Sequence, residues 1–205
     1  MSTTDAVPEW SRIERAKAAG MLMLGWVALL WALEGIDLVT GHALDQYGIV
    51  SRDPDSLGGI VTAAFLHLGF DHVASNSVPL LVLGFIVALS GIRRFLAVAA
   101  LITLADGIGT WLISPSDTLT LGASGVVYGL FGYVVVRGFV ERRVLGILVG
   151  VAVGFYWGGS FLLGLLPTNT MVSWQGHLCG LLAGVATALW FRRPDRRPAR
   201  GPVTV

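Results

Sequence analysis

The sequence predicts an all-α polytopic membrane protein, with six membrane-spanning helices and both termini in the cytoplasm. Three observations predict it. Of the 205 residues, 54% are hydrophobic and 13% are charged, about half the charged share of an ordinary soluble domain. Six apolar runs, at about 20–39, 72–90, 95–113, 122–139, 144–166 and 175–191, approach the roughly 20 residues that a helix needs to cross a bilayer. When the chain is threaded through six spans, thirteen of its fourteen Lys and Arg fall on one side and only Arg52 on the other. A bias of that kind marks the cytoplasmic side.

Residues 1–19 read as a cytoplasmic N-terminal segment carrying Arg12, Arg15 and Lys17. The run at 20–39 is too long, and followed by too many others, for a cleaved signal peptide. Glu34 and Asp37, near its outer end, read as interfacial. Loop one, 40–71, is polar in "SRDPDS" and contains no Trp. The second span returns to Arg93 and Arg94, and the third carries Asp106, which reads as a structural hydrogen-bonding acid or, alternatively, as a third catalytic member. The fourth span runs from "GASG" to Arg137, and Arg142 and Arg143 turn the chain into the fifth. That fifth span, "GFYWGGSFLLGLLP", is aromatic and Gly-rich, as a mobile gate would be. The sixth ends at Arg192, and residues 192–205 form a basic, Pro-rich cytoplasmic tail suited to anionic headgroups. No separate soluble domain is visible, so residues 20–191 read as one membrane domain. Cys179 is the only cysteine, so no intrachain disulfide can form.

Chemistry concentrates at the outer ends of three spans. Ser124 precedes Arg137 by 13 residues, or ~20 Å of helix. If Arg137 marks the inner boundary of a core about 30 Å thick, Ser124 lies roughly 10 Å below the outer surface. His177 lies at a similar depth, ~22 Å of helix above Arg192. An ionisable group so deep is costly and is a functional candidate by default. Gly125 and Gly129 on one helix, and Gly180 and Gly184 on the face of His177, permit close helix approach. A serine within about 3 Å of an imidazole can give up its proton. Small-residue motifs are also ordinary packing devices, so these two stretches leave a purely structural reading open. In "FLHLGFDHVASNSVPLLVLG", His72 and Asn76 are spaced i, i+4 on one helix face. They are either donors for a developing oxyanion or a pair bonded to its own helix and to interfacial water.

Taken together, these stretches resemble the rhomboid intramembrane serine proteases. The resemblance rests on Gly122-Ala123-Ser124-Gly125, on Tyr128 one turn later, and on His72-x-x-x-Asn76. It also rests on His177-x-x-Gly180 and on His67 of loop one. Each falls on its expected span of a six-span, rhomboid-like bundle. The resemblance implies Ser124 as nucleophile and His177 as general base. His72, Asn76 and the Ser124 backbone N–H would form the oxyanion hole. Tyr128 would orient the His177 ring, Gly122 and Gly125 would flank the nucleophile, and Gly180 would sit at the crossing of spans four and six. It implies transmembrane protein substrates cut near the outer face, in a bilayer of the bacterial plasma-membrane type. No cofactor, metal or nucleic-acid partner is expected. Ser75 stands where a bulky aromatic often precedes the Asn in the family, so the substrate entrance is expected to be lined differently.

Other classes fit less well. A transporter would show symmetry between its halves, which is not seen. A zinc protease would carry a motif such as HExxH, whereas His67 and His72 are spaced i, i+5. A non-catalytic rhomboid-like membrane chaperone is the nearest alternative, but such relatives lack the serine or the histidine.

Overall fold

A computed structural model describes residues 11–168 and 171–192. The expected tail from 193 onward lies outside the described residues. The described residues fold into seven α-helices: α1 (Arg12–Val39), α2 (Gly59–Thr62), α3 (Phe70–Ala88), α4 (Ile92–Ile113), α5 (Ser124–Val140), α6 (Val144–Leu163) and α7 (Trp174–Trp190). The six long ones cover the six apolar runs. Four of them, α1, α3, α4 and α6, are long and apolar enough to cross a membrane by length and composition. α1 begins at Arg12, ahead of the expected start at residue 20, because Ser11 and Glu14 form a reciprocal capping box. That box satisfies two amides that a helix start leaves open.

α5 is the hub, packed against α3, α4, α6 and α7. Small residues make this possible. A Cβ on Gly180 would overlap the carbonyl of Gly125, and one on Gly184 that of Gly129, so α7 meets α5 backbone to backbone. On the other side, a Cβ on Gly138 would overlap the backbone of Gly146 where α5 meets α6. The buried core runs through α5 as Val126, Val127, Leu130, Tyr133 and Val134, against Leu80 and Leu83 of α3 and Phe95, Val98 and Ile102 of α4. α6 instead exposes Leu145, Leu148, Val151, Phe155 and Leu162. An exposed apolar surface this extensive suits lipid rather than water.

One end of the bundle is fastened by charge. Arg94 donates to Tyr133 Oη (2.9 Å), Glu141 Oε1 (2.9 Å) and the Phe191 carbonyl (3.1 Å). Arg137 joins the same carboxylate at 3.0 Å. The start of α4 and the ends of α5 and α7 therefore share one face, where the sequence places its arginines.

The opposite end is closed by loop one, which is more ordered than its polar composition suggests. Ile49–Val50 (β1) pairs antiparallel with Leu119–Thr120 (β2), with Ile49 opposite Thr120 and Val50 opposite Leu119. Arg52 donates to the Ser114 carbonyl (2.7 Å) and to Ser116 Oγ (3.1 Å), and Trp111 Nε1 to the Asp53 carbonyl (3.0 Å). Loop one is thus clamped to the segment that leads into Ser124.

Candidate active site

Ser124 is the first residue of α5. The chain reaches it through Gly122 at φ 132°, a conformation open only to glycine without strain. Glycine is also required sterically, since a Cβ there would lie 2.7 Å from His72 Cε1. Two backbone bonds hold the approach: Gly122 N–H to the Ala63 carbonyl (2.9 Å) and Ala123 N–H to His67 Nε2 (3.3 Å). Burial, then the neighbouring His72, lowers the His67 pKa to about 3, so this ring stays neutral and accepts. The Ser124 N–H belongs to the first turn of a helix, whose amides have no partner within the helix.

His177 sits in the first turn of α7, with its ring stacked on Tyr128 at 3.9 Å between centroids and 10° between planes. Its Nδ1 lies 2.8 Å from the Gly164 carbonyl at the end of α6. A carbonyl can only accept, so Nδ1 carries the proton and Nε2 keeps a lone pair. Tyr128 is itself fixed, donating from Oη to the Phe161 carbonyl at 3.1 Å. His72 has the opposite polarity. Its Nδ1 accepts from Leu68 N–H (3.3 Å), so Nε2 bears the proton and faces Gly122. Asn76 is 4% exposed and spends one amide hydrogen on the His72 carbonyl at 3.1 Å. The other remains available.

His72, Asn76, Ser124, Tyr128 and His177 line one cavity of about 1000 Å³, together with Ser160, Trp157 and Phe161 of α6 and Met171. The sequence-predicted residues of α3, α5 and α7 therefore share one space. Gly125 and Gly180 lie behind it, at the α5–α7 crossing. Asp106 faces the back of α5. A Cβ on Gly125 would collide with its carboxyl, and Oδ1 accepts from Thr110 Oγ1 at 3.3 Å. A second cavity of about 20 Å³ lies there, lined by Asp106, Thr110, Ser124 and Ser173, large enough for one water molecule.

Residues 54–194 match the model of the rhomboid domain. The chain belongs to the rhomboid family. It is 40% identical over 186 residues to an uncharacterized protein of Mycobacterium tuberculosis, covering 87% of this chain and 77% of the relative. It is 28% identical over 165 residues to a Bacillus subtilis protein named "Putative rhomboid protease YdcA", covering 78% of each. A chloroplastic rhomboid-like protein of Arabidopsis thaliana is 33% identical over 92 residues, 43% of this chain and 33% of that protein. Membership makes this rhomboid an integral membrane protein, in keeping with its apolar helices.

Sequence reading missed the Gly164 and Phe161 carbonyls. They orient His177 and Tyr128, yet a backbone oxygen leaves no side-chain signal. The amide of Ala123 held by His67 was equally silent.

Proposed function

We propose that this rhomboid is an intramembrane serine endopeptidase that cleaves transmembrane segments near the outer face through a Ser124–His177 dyad. The observation that carries the proposal is the state of His177. Its Nδ1–H is committed to the Gly164 carbonyl and its ring is stacked on Tyr128, so Nε2 is left as a base on the cavity wall that Ser124 shares. The Nε2 lone pair takes the Ser124 hydroxyl proton as Oγ attacks the substrate carbonyl carbon. The negative charge that develops on the carbonyl oxygen is met by His72 Nε2–H, the second Asn76 amide hydrogen and the Ser124 N–H. The imidazolium returns its proton to the leaving amine and an acyl-enzyme forms. Water then attacks the ester, with His177 again taking the proton.

The topology completes the reading: six spans within residues 20–191, both termini cytoplasmic, and the cavity open to the outside in a bacterial-type plasma membrane. The arginine clamp at the opposite end supports this orientation, since basic residues favour the cytoplasmic side. The helix of a substrate shields its own amides, so it must unwind locally to reach Ser124.

Activity-based labelling tests the proposal. The protein in detergent is treated with a fluorophosphonate and the adduct is mapped by peptide mass spectrometry. An adduct on Ser124, lost in His177→Ala, is expected. Absence of any serine adduct in a folded protein that also leaves transmembrane substrates intact would refute it.

A further inference from the structure

The outer end of α1 carries a charged group that the proposed chemistry does not use. Asp37, in its last turn, is 2% exposed. Its Oδ2 lies 3.0 Å from His42 Nδ1, and its Oδ1 accepts the Leu44 N–H at 2.7 Å. Asp45 completes a set in which one ligand atom from each of Asp37, His42 and Asp45 lies within 4.8 Å of the others. Glu34 stands one turn earlier on the same face as Asp37. It is 3% exposed, and its charged neighbours are Asp37, Asp45 and His42.

Two oxygens of this group are buried without a hydrogen-bond partner: Glu34 Oε2 and Asp45 Oδ1. Among the described residues no Lys or Arg pairs with the three carboxylates, and His42 is their one basic partner. Arg52 is the one Lys or Arg between Lys17 and Arg93, and it is spent on Ser114 and Ser116. Buried carboxylate oxygens that lack both a cation and a hydrogen bond are costly.

We propose that Asp37, His42 and Asp45, backed by Glu34, bind a divalent cation of the Zn²⁺ or Mn²⁺ kind. The mixed imidazole and carboxylate donors suit these ions, whereas Ca²⁺ and Mg²⁺ take oxygen ligands. Ligand atoms around a tetrahedral Zn²⁺ stand about 3.3 Å apart, so a set lying within 4.8 Å draws together by at most roughly 1.5 Å on binding. A cation held by Nδ1 requires the neutral His42 ring to carry its proton on Nε2, and His42, half exposed, provides the way in. The group reaches toward α3. Glu34 neighbours the Gly69 backbone amide, and the Gly69 carbonyl accepts from the His72 and Val73 N–H groups at 3.1 and 3.2 Å. A cation here braces loop one and the end of α1 against the start of the helix that carries His72.

The full chain, purified in detergent and stripped with EDTA, is titrated with Zn²⁺ and with Mn²⁺, with Mg²⁺ as a control. Binding is followed by calorimetry and by thermal unfolding. One-to-one binding of Zn²⁺ or Mn²⁺ is expected, with Tm rising by about 5 °C or more at saturation. Asp45→Asn and the exposed-site variant His42→Ala should each weaken binding at least ~10-fold. No binding to the wild-type chain below about 100 μM, a concentration above which affinity is weak, overturns the proposal. Affinity retained in His42→Ala also overturns it, and that variant decides the matter should Asp45→Asn fail to fold. The readouts are binding and stability, so this test stands apart from proteolysis.

Discussion

Gly184→Ala tests how closely α5 and α7 must cross for the proposed chemistry. Gly184 lies seven residues past His177, about 10 Å down the same helix. A Cβ added there would overlap the Gly129 carbonyl oxygen and stand 2.6 Å from its carbon and 2.9 Å from Gly129 Cα. Ordinary carbon contacts are about 3.5–4.0 Å. The obstacle is backbone on a packed helix, so it cannot rotate aside, and α7 must move outward by roughly 1 Å. Overpacking of this kind costs about 1–3 kcal/mol. The larger effect falls on catalysis, because α7 carries His177 with it. A displacement of about 1 Å in a catalytic group can cost ~100-fold in rate. Gly25→Ala is the control, since a Cβ at Gly25 meets nothing within 4 Å. Both variants are assayed for unfolding temperature and for turnover of a single-span substrate in detergent. Gly184→Ala should unfold earlier and lose about two orders of magnitude in kcat, with KM little changed, while Gly25→Ala matches wild type. Wild-type kcat in Gly184→Ala would refute the claim that this crossing sets the position of His177.

Three further outcomes follow from the geometry. Asn76→Ala and His72→Ala should each lower kcat by about 10- to 1,000-fold, the usual loss for one oxyanion donor, while the Ser124 fluorophosphonate adduct still forms slowly; full turnover in the double variant would contradict their role. Asp106→Asn keeps the shape that fills the space beside Gly125 and an oxygen for Thr110, so it should retain most activity with a modest shift in Tm; a loss as deep as that of Ser124→Ala at normal stability would place Asp106 in the reaction. Burial alone would raise the Glu141 pKa, but the Arg137 hydrogen bond and the charges of Arg137, Arg94 and Arg143 hold it below its ordinary 4.5. A carboxylate lowered on folding stabilises above that ordinary value and loses its contribution as pH falls through the shifted one. Glu141→Gln should therefore cost about 1–3 kcal/mol near neutral pH, and its difference from wild type in thermal unfolding should shrink progressively below pH 4.5. A difference independent of pH would show that the clamp does not act through charge.

The long helices were legible in the sequence because lipid imposes length and composition on each span separately. The residues of the candidate site were legible because each has a distinctive side chain at a fixed place in its own helix: Ser124 and Tyr128 on α5, His72 and Asn76 on α3, His177 on α7. Loop one was not. Its order depends on partners about seventy residues away, such as Ile49 with Thr120 and Val50 with Leu119, and nothing local in "SRDPDS" encodes them. Glu34 and Asp37 read as interfacial because they stand near a helix end, yet loop one buries both.

What the sequence determined alone was the set of helices, the sorting of basic residues and the inventory of reactive side chains. Those follow from local chemistry: an apolar run must hide its backbone in a helix, and an arginine stays near water. Tertiary structure decided which nitrogen of each histidine holds the proton, through the Gly164 carbonyl for His177 and the Leu68 amide for His72. It decided too that Asp37, His42 and Asp45 converge while Asp106 stands behind Ser124. Each of these depends on where the folded backbone sets a carbonyl, an amide or a carboxylate, and every residue type supplies the same backbone carbonyl and, except for proline, the same amide.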